Sequence, residues 1–196
     1  MKPDIKKIVV YGCGAAGANL LLNLITAYPD LEFAVVDFDL VESRNITPGT
    51  QPYSRSDLRR PKVQALQRIA REREKKIEAI NTKITSTEQL RGYGSSCLLI
   101  DCFDNVPSRN LFHKVKGNIL HVGFSASLTG ETCWAESWTP MKESKADNAI
   151  DVCELHLARP FIQALTAISA LLISEFLETG TKRNAYFDSK VNLKVF

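Results

Sequence analysis

An α/β fold is what this sequence predicts, on three observations. A short apolar run at residues 8–11 leads at once into Gly12-Cys-Gly-Ala-Ala-Gly17, and a helical pattern over 16–28 follows. A second apolar run, 33–36, ends at Asp37-Phe-Asp39. Short apolar runs then go on alternating with helix-length segments as far as Phe124. Strands buried on both faces read as unbroken apolar runs, and parallel neighbours need helical, right-handed crossovers. The expected architecture is a Rossmann-like, mostly parallel sheet with helices on both faces, followed by C-terminal antiparallel edge strands and a long apolar helix.

The elements fall in order. Strand signals occur at 8–11, 33–36, 77–84, 97–100 and 119–124, and helices at 16–28, 61–75 and 106–116. Pro61 suits a first helical turn, where its missing N–H costs nothing. After Phe124 the pattern changes: 131–138 alternates like an edge strand, and 139–152 is polar and expected to be a loop. A long apolar helix is expected at roughly 158–178, stopped at Gly180, and the alternating tail 186–196 reads as a hairpin or edge strand. No repeat or interdomain linker is legible, so 1–196 is read as a single nucleotide-binding domain, large enough to bury about 70% of its unfolded surface.

Composition narrows the function classes. A net charge of +3 is too small to argue for nucleic acid, and the basic stretch 68–76 contains acids at helical spacing, as a solvated helix face does. The cysteines Cys13, Cys97, Cys102, Cys133 and Cys153 are odd in number and widely spaced. With no secretory leader legible, they point to free thiols in a reducing cytoplasm. No C-x-x-C pair occurs, so no structural zinc is expected. The apolar stretch 161–177 is interrupted by Gln163, Thr166, Ser169, Ser174 and Glu175, which fits a buried helix rather than a membrane span.

The chemistry starts at the glycines. They allow a tight turn and a close approach of backbone to phosphate, while the following helix N-terminus offers free N–H groups and partial positive charge. Asp37 stands about 20 residues further on, where a carboxylate can accept ribose hydroxyls. The alternative is a strand-to-helix turn with no ligand, in which Asp37 only caps the following turn. Ligands of open α/β sheets lie beyond the carboxyl ends of the strands. The polar residues there are Asp37, Asp39 and Asn45 after the second strand, and Asp101, Asp104, Asn105 and Arg109 after the fourth. Lys62 opens the helix before the third. Lys62 also reads as a first-turn surface lysine, Asp104 as an N-cap, and Arg109 as a surface residue. His121 and His156 are isolated and read as core or surface residues.

Taken together, these residues resemble the ThiF/MoeB/HesA-like adenylating enzymes, the superfamily that includes ubiquitin-activating enzymes. The shared elements are the G-x-G-x-x-G loop, D-x-D-x-V-x-x-x-N (Asp37, Asp39, Val41, Asn45), R-P-K-V (Arg60 to Val63) and D-C-x-D-N-x-x-x-R (Asp101 to Arg109). Cys153 before a long apolar helix, and Tyr186-Phe-Asp188 after it, look like the family's C-terminal half. The resemblance implies ATP- and Mg²⁺-dependent adenylation of the C-terminal carboxylate of a ubiquitin-like or sulfur-carrier protein ending in Gly-Gly. It also implies a cytoplasmic homodimer with no membrane or nucleic-acid partner. Carried over, Gly12, Gly14 and Gly17 cradle the nucleotide, Asp37 with Asp39 holds it at the ribose side, Asn45 and Lys62 grip phosphate oxygens, and Asp104 coordinates Mg²⁺. Cys153 is the candidate for a thioester or persulfide link, the other cysteines being read as packing residues.

The match departs from the family in places. Where relatives carry L-x-R-Q after the asparagine, this chain has Ile46-Thr-Pro48-Gly, and Arg44, Arg55, Arg59 and Arg60 are the nearby cations. The arginine that relatives bring from an N-terminal helix, and their zinc-binding cysteine pairs, are not found. An inactive nucleotide-binding scaffold or partner subunit is therefore one alternative, and an NAD-dependent oxidoreductase another.

Overall fold

A computed structural model of the chain describes residues 2–46, 49–91, 94–138 and 155–196. Its strands are β1 (Lys7–Tyr11), β2 (Glu32–Asp37), β3 (Glu78–Asn81), β4 (Cys97–Asp101), β5 (Asn118–Phe124), β6 (Thr129–Trp134), β7 (Ala185–Asp188) and β8 (Leu193–Val195). They form one sheet in the order β3-β2-β1-β4-β5-β6-β7-β8. The first five are parallel, and β6, β7 and β8 add on antiparallel.

Side-chain alternation along each strand divides the interior into two cores. Ile8 and Val10 of β1 face a core shared with α1 (Ala15–Ala27), α3 (Lys62–Glu72) and α6 (Ala158–Thr179). Val9 and Tyr11 face the other, covered by Leu90 of α4 (Glu88–Arg91) and Phe112 of α5 (Val106–Phe112). Each such fully buried aliphatic side chain contributes about 1.5–3 kcal/mol of hydrophobic stabilisation. The mostly parallel sheet with helices on both faces is as the sequence predicts.

Chain direction fixes where a ligand can enter. β1 runs between β2 and β4, so the loops leaving β1 and β4 diverge to opposite faces and open a crevice at the carboxyl edge.

The structure differs from the sequence expectations in four places. The third strand is shorter than 77–84, because Thr82 N folds back onto Ile80 O at 3.1 Å while Ile77 and Ile84 pack as flanks. Segment 131–138 is not an edge: β6 is paired on both sides. Its polar residues only mimic one, since Thr132 Oγ1 lies 2.7 Å from Ser169 Oγ of α6, and Glu131 is held by Arg109 and Trp138. The helix expected at 61–75 is α3, which follows the one-turn α2 (Ser43–Ile46), has Pro61 as its N-cap residue and ends at Glu72; the helix expected at 106–116 is α5, which stops at Phe112. α6 is long and apolar enough to cross a membrane by length and composition, but Phe161, Ile162, Leu165, Ile173 and Phe176 bury its one face against α1 and the sheet. Gly180 ends it in the left-handed region at φ +79°. The polar segment 139–152 and Cys153 lie outside the described residues.

Candidate functional site

The three glycines leaving β1 have three different reasons to be glycine. Gly12 sits at φ +87°, and a Cβ there would lie 2.8 Å from the Cys102 carbonyl oxygen. At Gly17 a Cβ would fall 1.9 Å from the Gly12 carbonyl oxygen, so the helix can approach β1 this closely only without a side chain. Around Gly14, the N-cap of α1, a Cβ would meet nothing within 4 Å among the described residues. The loop therefore turns at Gly12, packs at Gly17 and faces open space at Gly14. Among the described residues no side chain caps α1, and no acid stands in its first turn, so the N–H groups of that turn and the positive dipole end remain available to an anion.

Asp37 ends β2 and fixes this loop in place. Its Oδ2 accepts the Cys13 N–H at 2.6 Å and its Oδ1 accepts the Asp39 N–H at 2.8 Å. Burial pushes its carboxyl above the usual carboxylate range, against those two hydrogen bonds and the nearby charge of Lys62. Asp37 therefore does cap the turn that follows β2, and the same carboxylate ties the glycine loop to the D-x-D turn.

Lys62 is buried rather than a surface lysine, and its Nζ donates to Asp39 Oδ2 at 2.9 Å. Backbone places it: Lys62 N donates to Asp39 O, and Val41 exchanges hydrogen bonds with Arg59 and Arg60 across the Leu40–Pro61 bridge. Arg59 takes φ +65° in this bend, a conformation that costs a non-glycine residue about 1–3 kcal/mol. Asn45, also buried, spends its Oδ1 on the Glu42 N–H at 2.8 Å.

Beyond β4, Cys102 packs against Gly12, and Asp104 stands exposed at the rim. The N-cap of α5 is Asn105, not Asp104: Asn105 Oδ1 accepts the Ser108 N–H at 2.9 Å, which leaves the Asp104 carboxylate uncommitted to the helix. Arg109 is likewise not a surface residue but is buried between Asp101 and Glu131. The convergence of these segments shows at Cys13. Its thiol is pushed well up by burial, then by Asp37, with Lys62 opposing and Cys102 and Asp39 adding to the rise. Burial likewise raises Cys133, to about 11. Both behave as packing residues.

Several residues here were silent in the sequence. Tyr53 donates its hydroxyl to the Cys13 carbonyl oxygen at 2.6 Å, bracing the glycine loop from above. Asp57 is fully buried and takes Arg68 Nε and Nη2 at 3.0 and 2.8 Å, with Ser54 N at 3.0 Å. His121 is a core residue. A polar residue inside an apolar strand run, as His121 is, was the one signal on offer.

The ThiF family model matches residues 4–138. No curated protein matches. Among solved structures, Escherichia coli MccB crystallised with MccA superposes with a TM-score of 0.73 at 17% identity, covering 98% of this chain and 63% of that one. MccB with ATP gives 0.73 at 16%, covering 98% and 64%. PaaA gives 0.69 at 16%, covering 97% and 63%. These structural likenesses are of fold, and this chain spans just under two thirds of the length of those neighbours. With more than half of its residues matched by one family model, the chain belongs to the ThiF family.

Proposed function

We propose that the chain binds ATP in the crevice beyond β1, β2 and β4 and adenylates the C-terminal carboxylate of a peptide or small protein, a ubiquitin-like or sulfur-carrier protein ending in Gly-Gly. One observation carries the reading: the glycine loop opens on free space at Gly14, with a buried lysine and two acids beside it. An exposed turn with no ligand has no use for a desolvated Lys62. The neighbours lend support, since MccB has been solved with ATP and with N-formylated MccA.

In this reaction a carboxylate oxygen attacks the α-phosphorus, pyrophosphate leaves and an acyl-adenylate forms. The α1 N-terminus and the Lys62 ammonium receive phosphate oxygens and offset their growing charge. Asn45, whose Oδ1 is occupied, presents its Nδ2 donors. Asp37 and Asp39 keep lone pairs for ribose hydroxyls. Among the described residues no group of three or more His, Cys, Asp and Glu could hold a metal ion. Mg²⁺ commonly uses one or two carboxylates plus phosphate oxygens, and exposed Asp104 suits that role. The ion would neutralise phosphate charge. The Cys153 thiolate is proposed to take the acyl group from the adenylate as a thioester, with AMP leaving as the acyl–phosphate bond breaks, and a cytoplasmic homodimer is proposed as the assembly.

ATP–pyrophosphate exchange tests this. Lys62→Ala should lower exchange by about 10²-fold or more, the scale for one lost transition-state donor. Exchange absent with every Gly-Gly-ending partner, and ATP binding unchanged by Lys62→Ala, would end the proposal. The replacement of the family's L-x-R-Q by Ile46-Thr-Pro48-Gly favours a second reading, a nucleotide-binding scaffold. ATP binding with no exchange, beside a separate catalytic subunit, would select it.

A further inference from the structure

Beneath the loop that carries Asp104 lies a set of buried charged groups that the proposed reaction does not touch. Asp101 and His121 face each other across β4 and β5, both fully buried, with His121 Nδ1 2.7 Å from Asp101 Oδ2. Arg109 reaches in from α5, its Nε 3.5 Å from Asp101 Oδ2 and its Nη2 3.3 Å from Glu131 Oε1. The first is a charge contact rather than a hydrogen bond. Glu131 Oε1 also accepts the Trp138 Nε1–H at 3.2 Å, and the Trp138 ring stacks on His121 at 4.0 Å. Gly123 makes room for the guanidinium, since a Cβ there would lie 2.9 Å from Arg109 Nη1.

Apolar residues of equal volume commonly hold strands and a helix together as well as such a network does. What they cannot do is accept a backbone N–H. Asp101 Oδ1 accepts the Phe103 N–H at 3.0 Å, one residue before Asp104. On the other side Asn105 caps α5, and Arg109 N donates to Asn105 O at 3.2 Å. Asp104 is thus held between two anchored neighbours. His121 is assigned a proton on Nδ1, because the Asp101 carboxylate is the acceptor there.

We infer that Asp101 is a positioning residue for Asp104, and that Arg109, His121, Glu131 and Trp138 hold the Asp101 carboxylate in the orientation that anchors the loop. The inference rests on Asp104 as the proposed Mg²⁺ ligand. Its test is calorimetric titration of ATP, with Mg²⁺ and with EDTA, into the full chain and its variants. Wild type should bind ATP about tenfold tighter with Mg²⁺, and Asp104→Asn should lose that gain. Asp101→Ala, which leaves Arg109 paired with Glu131, should lose it as well while keeping its EDTA affinity within about twofold. Asp101→Asn, which restores one acceptor for Phe103, should recover part of it. A folded Asp101→Ala that keeps the full Mg²⁺ gain overturns the inference. Failure of wild type to bind ATP at all would instead sink the nucleotide reading. If Asp101→Ala does not fold, wild type alone decides: the Phe103 amide should exchange slowly with deuterium, and exchange at open-loop rates overturns the inference.

Discussion

Gly14→Ala separates what the glycine loop does for folding from what it does for a ligand. Gly14 has φ −78° and ψ −157°, which alanine adopts freely, and its Cβ would meet nothing within 4 Å. The folding cost is that of a poorer N-cap, about 0.5–1 kcal/mol, or a Tm loss of about 1–4 °C for a chain this size. A phosphate seated on this N-terminus would meet the new methyl group and lose one or more charge-assisted hydrogen bonds. At about 1.5–3 kcal/mol each, that is about a tenfold to hundredfold loss of ATP affinity. Gly17→Ala should behave in the opposite way. Helix propensity favours alanine there by about 1 kcal/mol, but the Cβ would sit 1.9 Å from a backbone carbonyl oxygen. Overpacking of that kind costs about 3 kcal/mol or more, so the protein should be strongly destabilised before binding is at issue. Thermal unfolding with calorimetric ATP titration reads both. A well-folded Gly14→Ala that binds ATP like wild type would refute the argument.

Other outcomes follow from the same geometry. Lys62→Ala should unfold near the wild-type temperature, since half-exposed Asp39 stays hydrated when its partner goes and the removed ammonium no longer bears its own desolvation cost; a Tm loss beyond about 5 °C would make Lys62 structural. For Asp57, burial alone would raise the carboxyl, but hydrogen bonds from Arg68 and Ser54 hold it below the usual range. A depressed carboxyl stabilises the fold above its unfolded pKa of about 3.9 and loses that contribution as pH falls through its native value. Asp57→Asn should therefore lower stability by about 1–3 kcal/mol at pH 7, and the gap to wild type should close in acid; a gap unchanged down to pH 2 would contradict this. Cys13 and Cys133, buried with raised thiols, should resist iodoacetamide at pH 8 until urea is added, as mass spectrometry of digests would show.

Much of this fold was legible because parallel strands and glycine turns write themselves locally. The run 8–11, the three glycines and Asp37 each report a constraint satisfied within a few residues. The parallel pairing of the first strands follows from alternation and handedness, whereas the order that puts β1 between β2 and β4 does not. What was hidden depends on pairings between distant residues. Glu131 and Thr132, on opposite faces of β6, look like the polar residues of an edge strand until Arg109 of α5 and Ser169 of α6 are seen to bury them. Arg109 has the spacing of a surface residue, and only the fold brings Asp101 and Glu131 to it. Tyr53 reaches the Cys13 carbonyl from a segment with no periodic pattern at all. At the site, the motif residues Asp37, Asp39, Asn45 and Lys62 were readable, but their commitments to backbone were not.

In the proposed function a nucleotide's phosphates rest on the carboxyl edge around Gly14 and Lys62. Amide chemical shifts recorded while Mg·ATP is added to the labelled protein decide this. Saturable shifts should concentrate at Cys13 to Ala18, Asp39 and Lys62, and should vanish in Gly14→Ala. Shifts confined to the far edge at β7 and β8, or none at millimolar ATP, would contradict it.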